Sequence, residues 1–465
     1  NTGRDEPPHW YRNPHSNWNT VCSGGAGMLA LAMHEEFGSD ADEVLRQAEY
    51  SMIPYVDTLE ATEGGWEEGV GYWNYGMRYG FMYLLSRENA HGQPHPFMRK
   101  PGVAQTLDFP LHFAPYGIGC SFGDVNRWKP LPFHYALAER FDRLDLIPQL
   151  DQALASQAAK NSVWPDAAEL LLLHPRDGAM SPQEADTRVT APFAKQYPKL
   201  QWCVLADRWP SPNLYVSIRG GDTDVAHGHL DLLTFHCVAG GERLLTHAQG
   251  GGYNDATFGP RRYEIYEMTS QSTNTLLING VGIERHSSVS TSLVNKGRVR
   301  GVHMDATHAM GEMRDGPVAR FAGRLILLLD EQLALVIDRT LLPQYGRLES
   351  RLHTPGDVSL NRDQAQIRGQ QSEISLRFAS DVDASLHYAI DPVTKPEEST
   401  HMIRWCSDRL VHAGTHVTLL SRAADAKLNV DGKTEDQEQV VTVQNTNSEW
   451  RLKLGPQLSL LGVAD

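Results

Sequence analysis

The chain has few cysteines, and none of them stands in a recognisable motif. Only five occur among 465 residues, an odd number with wide spacings and no CxxC arrangement. This pattern excludes a disulfide framework and a metal site built from CxxC thiolates. We interpret Cys237, inside a predicted strand, as a small buried hydrophobic residue. The five are Cys22, Cys120, Cys203, Cys237 and Cys406.

Long apolar runs and an excess of basic residues are also missing. No apolar run approaches the length of a membrane span, so we expect no membrane partner. Lys and Arg number 42 against 57 Asp and Glu, which gives a net charge of −15 and a pI near 5.7. Proteins that bind nucleic acid by counterion release are usually basic, so we expect no nucleic-acid partner. A polyanion could still bind at a local cluster of Arg, Lys and His.

The hydrophobic pattern changes character along the chain. Its first part has apolar residues at helical spacing, whereas from Gln201 onward short runs rich in Val, Leu, Ile, Thr and Tyr alternate with turn signals. This order predicts a multidomain fold with helices first and an antiparallel β-sandwich or β-sheet region after them. The predicted helices cover residues 21–37, 41–58, 72–86, 103–113, 129–141, 145–160 and 164–173.

The length favours two or three domains. We predict a helical domain over residues 1–185, a central antiparallel β-sandwich over 186–375 and a C-terminal β-sheet region over 376–465.

Polar, chemically competent residues are concentrated after Ala226. His227, His229 and Asp231 follow one another at every second position. Period two predicts a strand that carries all three side chains on one face. A second strand is expected after the Gly240-Gly241 turn, over 243–247, and a third over 274–280. The hairpin is a candidate site, and the alternative is the polar outer face of a sheet.

Three motifs in order resemble the heparinase II/III-like polysaccharide lyases. The first is Asn17-Trp18-Asn19, with Gly24-Gly25 after it at a helix start. The second runs from Glu68 to Gly76 and is similar to the family's EGxxYWxYG. The third begins His227-Gly228-His229 and ends in Thr273-Asn274-Thr275 before Gly280, similar to the family's HNTxxxxG. Together they cover roughly residues 15–285.

The resemblance implies an incomplete (α/α) toroid followed by antiparallel β-sheets, with the substrate in a cleft between them. It implies β-elimination on a uronate-containing anionic polysaccharide or oligosaccharide, such as a glycosaminoglycan or alginate. A periplasmic or secreted, bacterial-type location and a possible dimer follow from it as well. Residues 1–8 have no signal-peptide core. In family members of this type a long helical stretch precedes the Asn-Trp motif, whereas only sixteen residues precede it here. A fragment, a processed product and a short member of the family are the alternatives that this leaves open.

β-Elimination removes the proton at C5, next to the uronate carboxylate, and expels the group at O4. It needs groups that neutralise the carboxylate, a base near C5 and an acid near O4. By resemblance, Tyr72 is the base and acid, with Tyr75 as the alternate, and Asn17 and His227 hold the carboxylate. The alternatives are aromatic packing for Tyr72, a helix N-cap for Asn17 and a satisfied polar residue at a strand start for His227.

Substrate contacts are expected from aromatic and basic side chains. Several family members carry a histidine after the motif's asparagine, whereas this chain has Trp18, which can stack on a sugar ring. That departure leaves the tyrosine as the main catalytic group. The predicted substrate-binding residues are Trp18, Tyr75, Arg78, Tyr253 and Arg261, and Arg12, His15 and Arg262 are further candidates for carboxylates or sulfates.

A metal is also implied, and no organic cofactor. His229 and His247 match positions that hold a structural divalent metal in part of the family, for which zinc is the best candidate. The second position is usually an aspartate, and the third ligand, a histidine in the family, is Thr273 here. Asp231 could complete the set, or a hydrogen-bonded network could replace the metal.

Two other functions stay open. One is a carbohydrate-binding protein that has kept the fold and lost activity. The other is a glycoside hydrolase, which needs two carboxylates beside the scissile bond. Glu67, Glu68 and Asp57 are available for that chemistry, but it does not explain His227 and His229.

Overall fold

The structure is a computed structural model that describes residues 10–156, 192–248, 252–313, 316–393, 400–436 and 438–464. The chain divides into two compact units. A helical unit comprises residues 1–188 and 225–227, and a β unit comprises 189–224 and 228–465. The predicted order, helices and then antiparallel sheets, is confirmed. None of the described helices is long and apolar enough to cross a membrane.

The helical unit contains eight α-helices in its described part. In chain order they are α1 Trp18–Ala32, α2 His34–Phe37, α3 Ser39–Ala61, α4 Val70–His91, α5 Pro101–Gln105, α6 Asp108–Phe113, α7 Pro132–Arg140 and α8 Ile147–Ala155. Short 3₁₀ turns occur at Trp10–Arg12, Pro96–Arg99, Pro115–Gly117 and Leu144–Leu146.

Helix α3 shows why these residues form a helix. Leu45, Met52, Val56 and Leu59 recur at helical spacing and are all buried, so one apolar face packs inward. The predicted helix 103–113 is two short helices, α5 and α6. The prediction at 164–173 and the end of 145–160 lie outside the described residues.

Helix α1 packs against α4 at close range because small residues face each other. A Cβ atom on Gly76 would lie 3.0 Å from the Cβ of Asn17. A Cβ atom on Gly80 would likewise lie 3.0 Å from Cγ2 of Thr20. Glycines in α4 therefore allow the start of α1, with Asn17, to approach the helix that carries Tyr72.

The β unit is built from antiparallel strands. In chain order they are β1 Phe193–Tyr197, β2 Trp202–Ala206, β3 Leu214–Arg219, β4 Gly221–Asp222, β5 Phe235–Ala239, β6 Glu242–Leu245, β7 Leu276–Ile278, β8 Ser288–Lys296, β9 Val299–Asp305, β10 Glu312–Met313, β11 Gly316–Pro317, β12 Phe321–Leu328, β13 Leu333–Gly346, β14 Leu348–Thr354, β15 Asp357–Asn361, β16 Gln364–Arg368, β17 Glu373–Ser380, β18 Ala384–Ile390, β19 His401–Ser407, β20 Val411–Ser421, β21 Lys427–Asp431, β22 Gln439–Gln444, β23 Glu449–Leu454 and β24 Leu460–Ala464. Its 3₁₀ turns are Arg262–Glu264, Tyr266–Met268, Ser270–Ser272 and Pro456–Leu458.

The strands form a large sheet with smaller sheets around it. The nine-stranded sheet has the order β15-β16-β17-β20-β13-β12-β9-β8-β4, and the five-stranded sheet has the order β1-β2-β3-β5-β6. Two four-stranded sheets have the orders β18-β19-β14-β7 and β21-β22-β23-β24, and β10 pairs with β11. Strand β17 spans residue 375, where we placed a domain boundary, and strands from both sides join the nine-stranded sheet. A division at that residue would cut a hydrogen-bonded sheet.

The central strands of the large sheet are apolar on both faces. Along β12, Phe321, Leu325 and Leu327 belong to one hydrophobic cluster, whereas Ala322 and Ile326 belong to another. Because side chains alternate along a strand, each face of the sheet supports its own core. The first cluster also contains residues of β22 and β23, and the second contains residues of β3, β5 and β14.

The predicted strand through His227, His229 and Asp231 is wrong. Residues 223–234 form turns, and strand β5 begins at Phe235. His227 has φ +59° and Leu233 has φ +70°, both in the left-handed region. Such residues break the period of two that a strand requires. His227 therefore belongs to the helical unit, whereas His229 and Asp231 belong to the β unit.

The hairpin after this segment follows the predicted pattern. Strands β5 and β6 pair antiparallel, and Gly240 and Gly241 between them have φ +59° and +78°. Two successive positive φ angles are what a tight hairpin turn requires, and glycine adopts them without steric cost.

Candidate active site

His227 lies at the centre of a polar cluster in the helical unit. Its Nδ1 is 3.0 Å from Oδ2 of Asp124. Its imidazole stacks on the Tyr72 ring, with ring centroids 3.7 Å apart and planes inclined by 14°. Its Nε2 is 3.7 Å from Oε1 of Glu68. An imidazole, a phenol and two carboxyl groups thus meet at one place, which is the type of constellation that acid–base chemistry uses.

Tight glycine turns position these side chains. Helix α4 begins directly after Gly69, whose φ is +86°, and Tyr72 lies in the first turn of that helix. A Cβ atom on Gly69 would lie 2.4 Å from the carbonyl oxygen of Phe122. The backbone N–H of Val70 donates to Ser121 Oγ over 3.1 Å. The turn before α4 is therefore held against the loop that leads to Asp124.

The loop with Asp124 also holds the backbone of His227. The Asp124 N–H donates to the carbonyl oxygen of His227 over 3.2 Å. Gly123, with φ +88°, passes so close that a Cβ atom there would lie 2.9 Å from the same oxygen. The imidazole is thus fixed through both its backbone and its Nδ1 contact.

Glu68 is a buried carboxyl group beneath His227. Its Oε2 accepts hydrogen bonds from the backbone N–H of Asn17 over 2.7 Å and from Trp66 Nε1 over 3.0 Å. No described residue provides a hydrogen-bond partner for Oε1. Burial raises the pKa of Glu68 to about 8, because a low-polarity environment penalises the carboxylate. Burial therefore favours the protonated form of Glu68.

Asn17 stands immediately before α1 and is almost fully buried. Its side chain makes no capping hydrogen bond to the helix, so the N-cap alternative does not account for it. Its backbone N–H is bound by Glu68. The structure therefore brings Asn17, Tyr72 and His227 to one place, together with Glu68 and Asp124.

Two members of this cluster were not predicted as part of it. Glu68 entered the sequence argument only as a motif residue and as a carboxylate for glycoside hydrolysis. Its place before Gly69 in a glycine-rich turn was a usable signal. Asp124 was missed, and its only local signal is the preceding Gly123.

Trp18, Tyr75 and Arg78 are also in the helical unit. Trp18 is 42% exposed, and its ring meets Tyr75 edge to face at 6.4 Å between centroids. The Trp10 ring also meets the Trp18 ring edge to face, with 5.6 Å between the ring centroids. Burial raises the pKa of Tyr75, and the positive charge of Arg78 opposes that shift. These rings form a partly exposed aromatic surface of the kind on which sugar rings stack.

Tyr253 and Arg261 are in the β unit. Tyr253 is half exposed and packs on Phe258 with ring centroids 4.8 Å apart. Arg261 pairs with Glu264 over 2.7 Å on the surface. The neighbouring Arg262 donates to the carbonyl oxygens of Gly228 and Thr257, which suits a structural role.

His229 and His247, the expected metal ligands, are both buried in the β unit. The Nε2 of His247 is 2.9 Å from Thr234 Oγ1, and its ring stacks on His236 with centroids 4.2 Å apart. Burial, followed by the neighbouring imidazoles, holds the pKa of His247 well below its usual range.

The other donors that zinc would need are engaged elsewhere. Thr273 Oγ1 donates to the carbonyl oxygen of Ser270 over 2.9 Å. Asp231 pairs with Arg219 Nη1 at 2.7 Å. Within the described residues no three His, Cys, Asp or Glu side chains are grouped so that they could hold a metal ion. The donor set does not fit zinc, which prefers four N, S or carboxylate ligands, and zinc binding stays an untested prediction.

Residues 194–443, more than half of the chain, match the family described as Heparinase II/III-like, C-terminal. The chain belongs to the heparinase II/III-like family. No curated protein matches the chain.

Solved structures share the fold. A heparinase III, the BT4657 gene product, has a TM-score of 0.67 at 12% identity, covering 97% of this chain and 66% of that one. A second heparinase III structure has a TM-score of 0.65 at 11% sequence identity, and the match covers 95% of this chain and 68% of that one. The heparan sulfate lyase HepC from Pedobacter heparinus has a TM-score of 0.63 at 12% sequence identity, and the match covers 97% of this chain and 66% of that one. The chain spans about two thirds of the length of these structures.

Proposed function

We propose that the chain is a polysaccharide lyase that cleaves a uronate-containing anionic polysaccharide by β-elimination. The observation that carries this proposal is the Tyr72 ring stacked on His227, with Asn17 and Glu68 beside them. Membership of the heparinase II/III-like family supports it, and so does the fold shared with a heparan sulfate lyase. We also infer that the helical unit forms part of an (α/α) toroid.

In this proposal Tyr72 moves the proton. Its phenolate oxygen takes the proton from C5, the C4–O4 bond breaks, and the phenol returns a proton to O4. The electron pair of the C5–H bond becomes the C4–C5 double bond of the product. An unperturbed phenol has a pKa near 10, so nearby positive charge must favour the phenolate. A protonated His227 against the phenol ring can supply that charge.

The uronate carboxylate must be neutralised while negative charge develops beside it. The Asn17 amide and the His227 imidazole are the groups we assign to this task. A protonated Glu68 suits an anionic substrate, because an ionised carboxylate at that position would repel the uronate. We also propose that five further side chains contact the substrate: Trp18, Tyr75, Arg78, Tyr253 and Arg261.

An ultraviolet assay tests this function. The product's C4–C5 double bond is conjugated to the carboxylate and absorbs where the substrate does not. The panel comprises heparin, heparan sulfate, chondroitin, dermatan, hyaluronan, alginate and ulvan. A rise in absorbance with any of them supports the lyase and names its substrate class. No rise with folded protein and the whole panel contradicts it.

The second candidate is a carbohydrate-binding protein without turnover. The exposed rings of Trp10 and Trp18 favour it, since they offer a stacking surface independent of any catalytic group. Calorimetric titration with the same polymers separates the two: binding without a rise in absorbance supports the second candidate. A glycoside hydrolase is less well supported, because Asp57 pairs with Lys100 and Glu67 with His15 on the surface.

A further inference from the structure

A cavity of about 660 Å³ lies in the β unit, and none of its lining residues belongs to the candidate active site. The turns between β17 and β18, between β19 and β20 and between β21 and β22 form its walls. We call it the C-terminal cavity, and it is lined by residues 380–383, 409–411 and 430–433. Its volume is that of a small-molecule site, since such sites span about 300–1,000 Å³.

The buried side chain of Asp381 holds these walls together. Its Oδ1 accepts a hydrogen bond from the backbone N–H of Thr415, in β20, over 2.8 Å. Its Oδ2 accepts from the backbone N–H and the hydroxyl of Thr434, over 2.6 and 2.7 Å. The carbonyl oxygen of Asp381 accepts from the ammonium group of Lys433. One residue thus ties the turn after β17 to β20 and to the turn after β21, so the cavity is already formed without a ligand.

The exposed charges of the C-terminal cavity are balanced. Asp383 and Asp431 provide two carboxylates, and both residues are exposed. Arg409 and Lys433 provide two cations, and they are exposed as well. Within the part of the chain that the structure describes, the side chains of Asp383, Arg409 and Asp431 have no hydrogen-bond or ion-pair partner. The cavity therefore offers acceptors and donors together, and neither sign of charge is in excess among its exposed groups.

This lining argues against several classes of ligand. A phosphate or sulfate group would be repelled by the two exposed carboxylates, and a metal cation by the guanidinium and ammonium groups. An apolar molecule would take the charged groups out of water without giving them partners. These three classes are therefore poor occupants of the C-terminal cavity.

A sugar unit matches the lining better. Each hydroxyl group of a sugar can donate one hydrogen bond and accept others, whereas a carboxylate only accepts and a guanidinium only donates. A pocket with both kinds of group can therefore satisfy neighbouring hydroxyls. Leu410, which is 56% exposed, also lines the cavity and offers an apolar contact for the C–H groups of a sugar ring.

We propose that the C-terminal cavity binds an uncharged sugar unit, with Arg409 donating to its hydroxyl groups and Asp431 accepting from them. A polysaccharide that contains such a unit has a second attachment point on this protein, apart from Tyr72 and His227. The inference does not depend on turnover, because a protein that binds the polymer without cleaving it would have the same site.

Saturation-transfer difference NMR on the whole chain tests this site. The probes are glucose, galactose, mannose, N-acetylglucosamine and N-acetylgalactosamine, with glucuronic acid and glucosamine as charged counterparts. We expect transfer to at least one uncharged sugar. Arg409→Ala and Asp431→Ala should each raise its Kd about tenfold or more, the effect of one lost hydrogen bond to a charged group. Both residues are exposed, so the melting temperature should not change.

Matched controls locate the binding. Arg368→Ala and Asp357→Ala remove exposed charges of the β unit that do not line the cavity, and they should leave the Kd unchanged. Binding that is lost in Trp18→Ala but kept in both cavity variants would assign the sugar to the helical unit and overturn the proposal. Transfer to no uncharged sugar, or only to a charged one, would overturn it too. The ultraviolet assay is read separately, so a protein without turnover contradicts the lyase and leaves this result unaffected.

Discussion

The ring of Tyr72 lies face to face on the imidazole of His227, with centroids 3.7 Å apart. These residues are far apart in sequence, and one stands in a helix while the other stands in a left-handed turn. In the proposed reaction the Tyr72 phenol loses a proton, and the stack places that phenol against an imidazole ring. An imidazolium in that position stabilises the phenolate by direct electrostatics.

The first prediction concerns the hydroxyl of Tyr72. Tyr72→Phe keeps the stacked ring but removes the proton carrier, so we expect turnover to fall about 10²-fold or more with polymer binding retained. Absorbance at the product band and calorimetric titration measure the two effects. Tyr50→Phe, an exposed tyrosine of the same unit, is the control. Wild-type turnover in Tyr72→Phe would reject its role and direct attention to Tyr75.

The second prediction concerns the pH dependence of stability. The pKa of Glu68 is raised from 4.5 to about 8 in the folded chain. Between these values the folded state binds more protons than the unfolded state, so stability falls as pH rises through the window. The loss is on the order of a few kcal/mol, at about 1.4 kcal/mol per pKa unit.

Glu68→Gln removes this titration while keeping an acceptor oxygen for Asn17 and Trp66. We expect urea unfolding between pH 5 and pH 8 to show a steeper loss of stability for the wild type than for the variant. Parallel curves would show that Glu68 titrates as an ordinary carboxyl group.

The third prediction concerns the turn before α4. Gly69→Ala forces a side chain into φ +86° and against the carbonyl oxygen of Phe122. Backbone strain alone costs about 1–3 kcal/mol, and the collision displaces Tyr72, so stability and turnover should both fall. Gly92→Ala is less strained, because φ +64° and ψ 19° lie in the left-handed helical region, and its side chain meets nothing within 4 Å. If both variants lose turnover equally, the close approach at Gly69 has no specific effect.

The fourth prediction concerns the metal. Because Thr273 and Asp231 are engaged with Ser270 and Arg219, we expect less than one equivalent of zinc by elemental analysis of the purified protein. A chelator should leave the melting temperature unchanged. Stoichiometric zinc whose removal lowers the melting temperature would instead show that His229 and His247 bind metal with ligands outside this donor set.

The fifth prediction concerns sugar stacking. Trp18→Ala removes a 42% exposed ring, and we expect KM to rise about tenfold, which corresponds to about 1.4 kcal/mol of binding, with kcat nearly unchanged. Tyr345→Ala removes an exposed aromatic ring of the β unit and serves as the control. Equal KM values for Trp18→Ala and the wild type would exclude Trp18 from the binding surface.

The spacing of apolar residues along the chain was sufficient to predict the general architecture. Helical spacing in residues such as Leu45 and Met52 predicted α3, and Gly240-Gly241 predicted the hairpin of β5 and β6, because these signals depend on neighbours in the chain. The three motifs were sufficient to identify the family, and they indicated Asn17, Tyr72 and His227 as members of one site. All of this information is local, and it survives when the tertiary structure is unknown.

Tertiary structure alone decided how those residues are arranged. The alternation in the sequence grouped His227 with His229, but His227 has a left-handed backbone and belongs to the helical unit, whereas His229 belongs to the β unit. Asp124, the partner of His227, is 103 residues away, and Glu68 binds Asn17 across 51 residues. No periodic pattern encodes such pairs, since they arise only when loops from separate helices are packed together. The raised pKa of Glu68 has the same origin, because burial is a property of the folded chain.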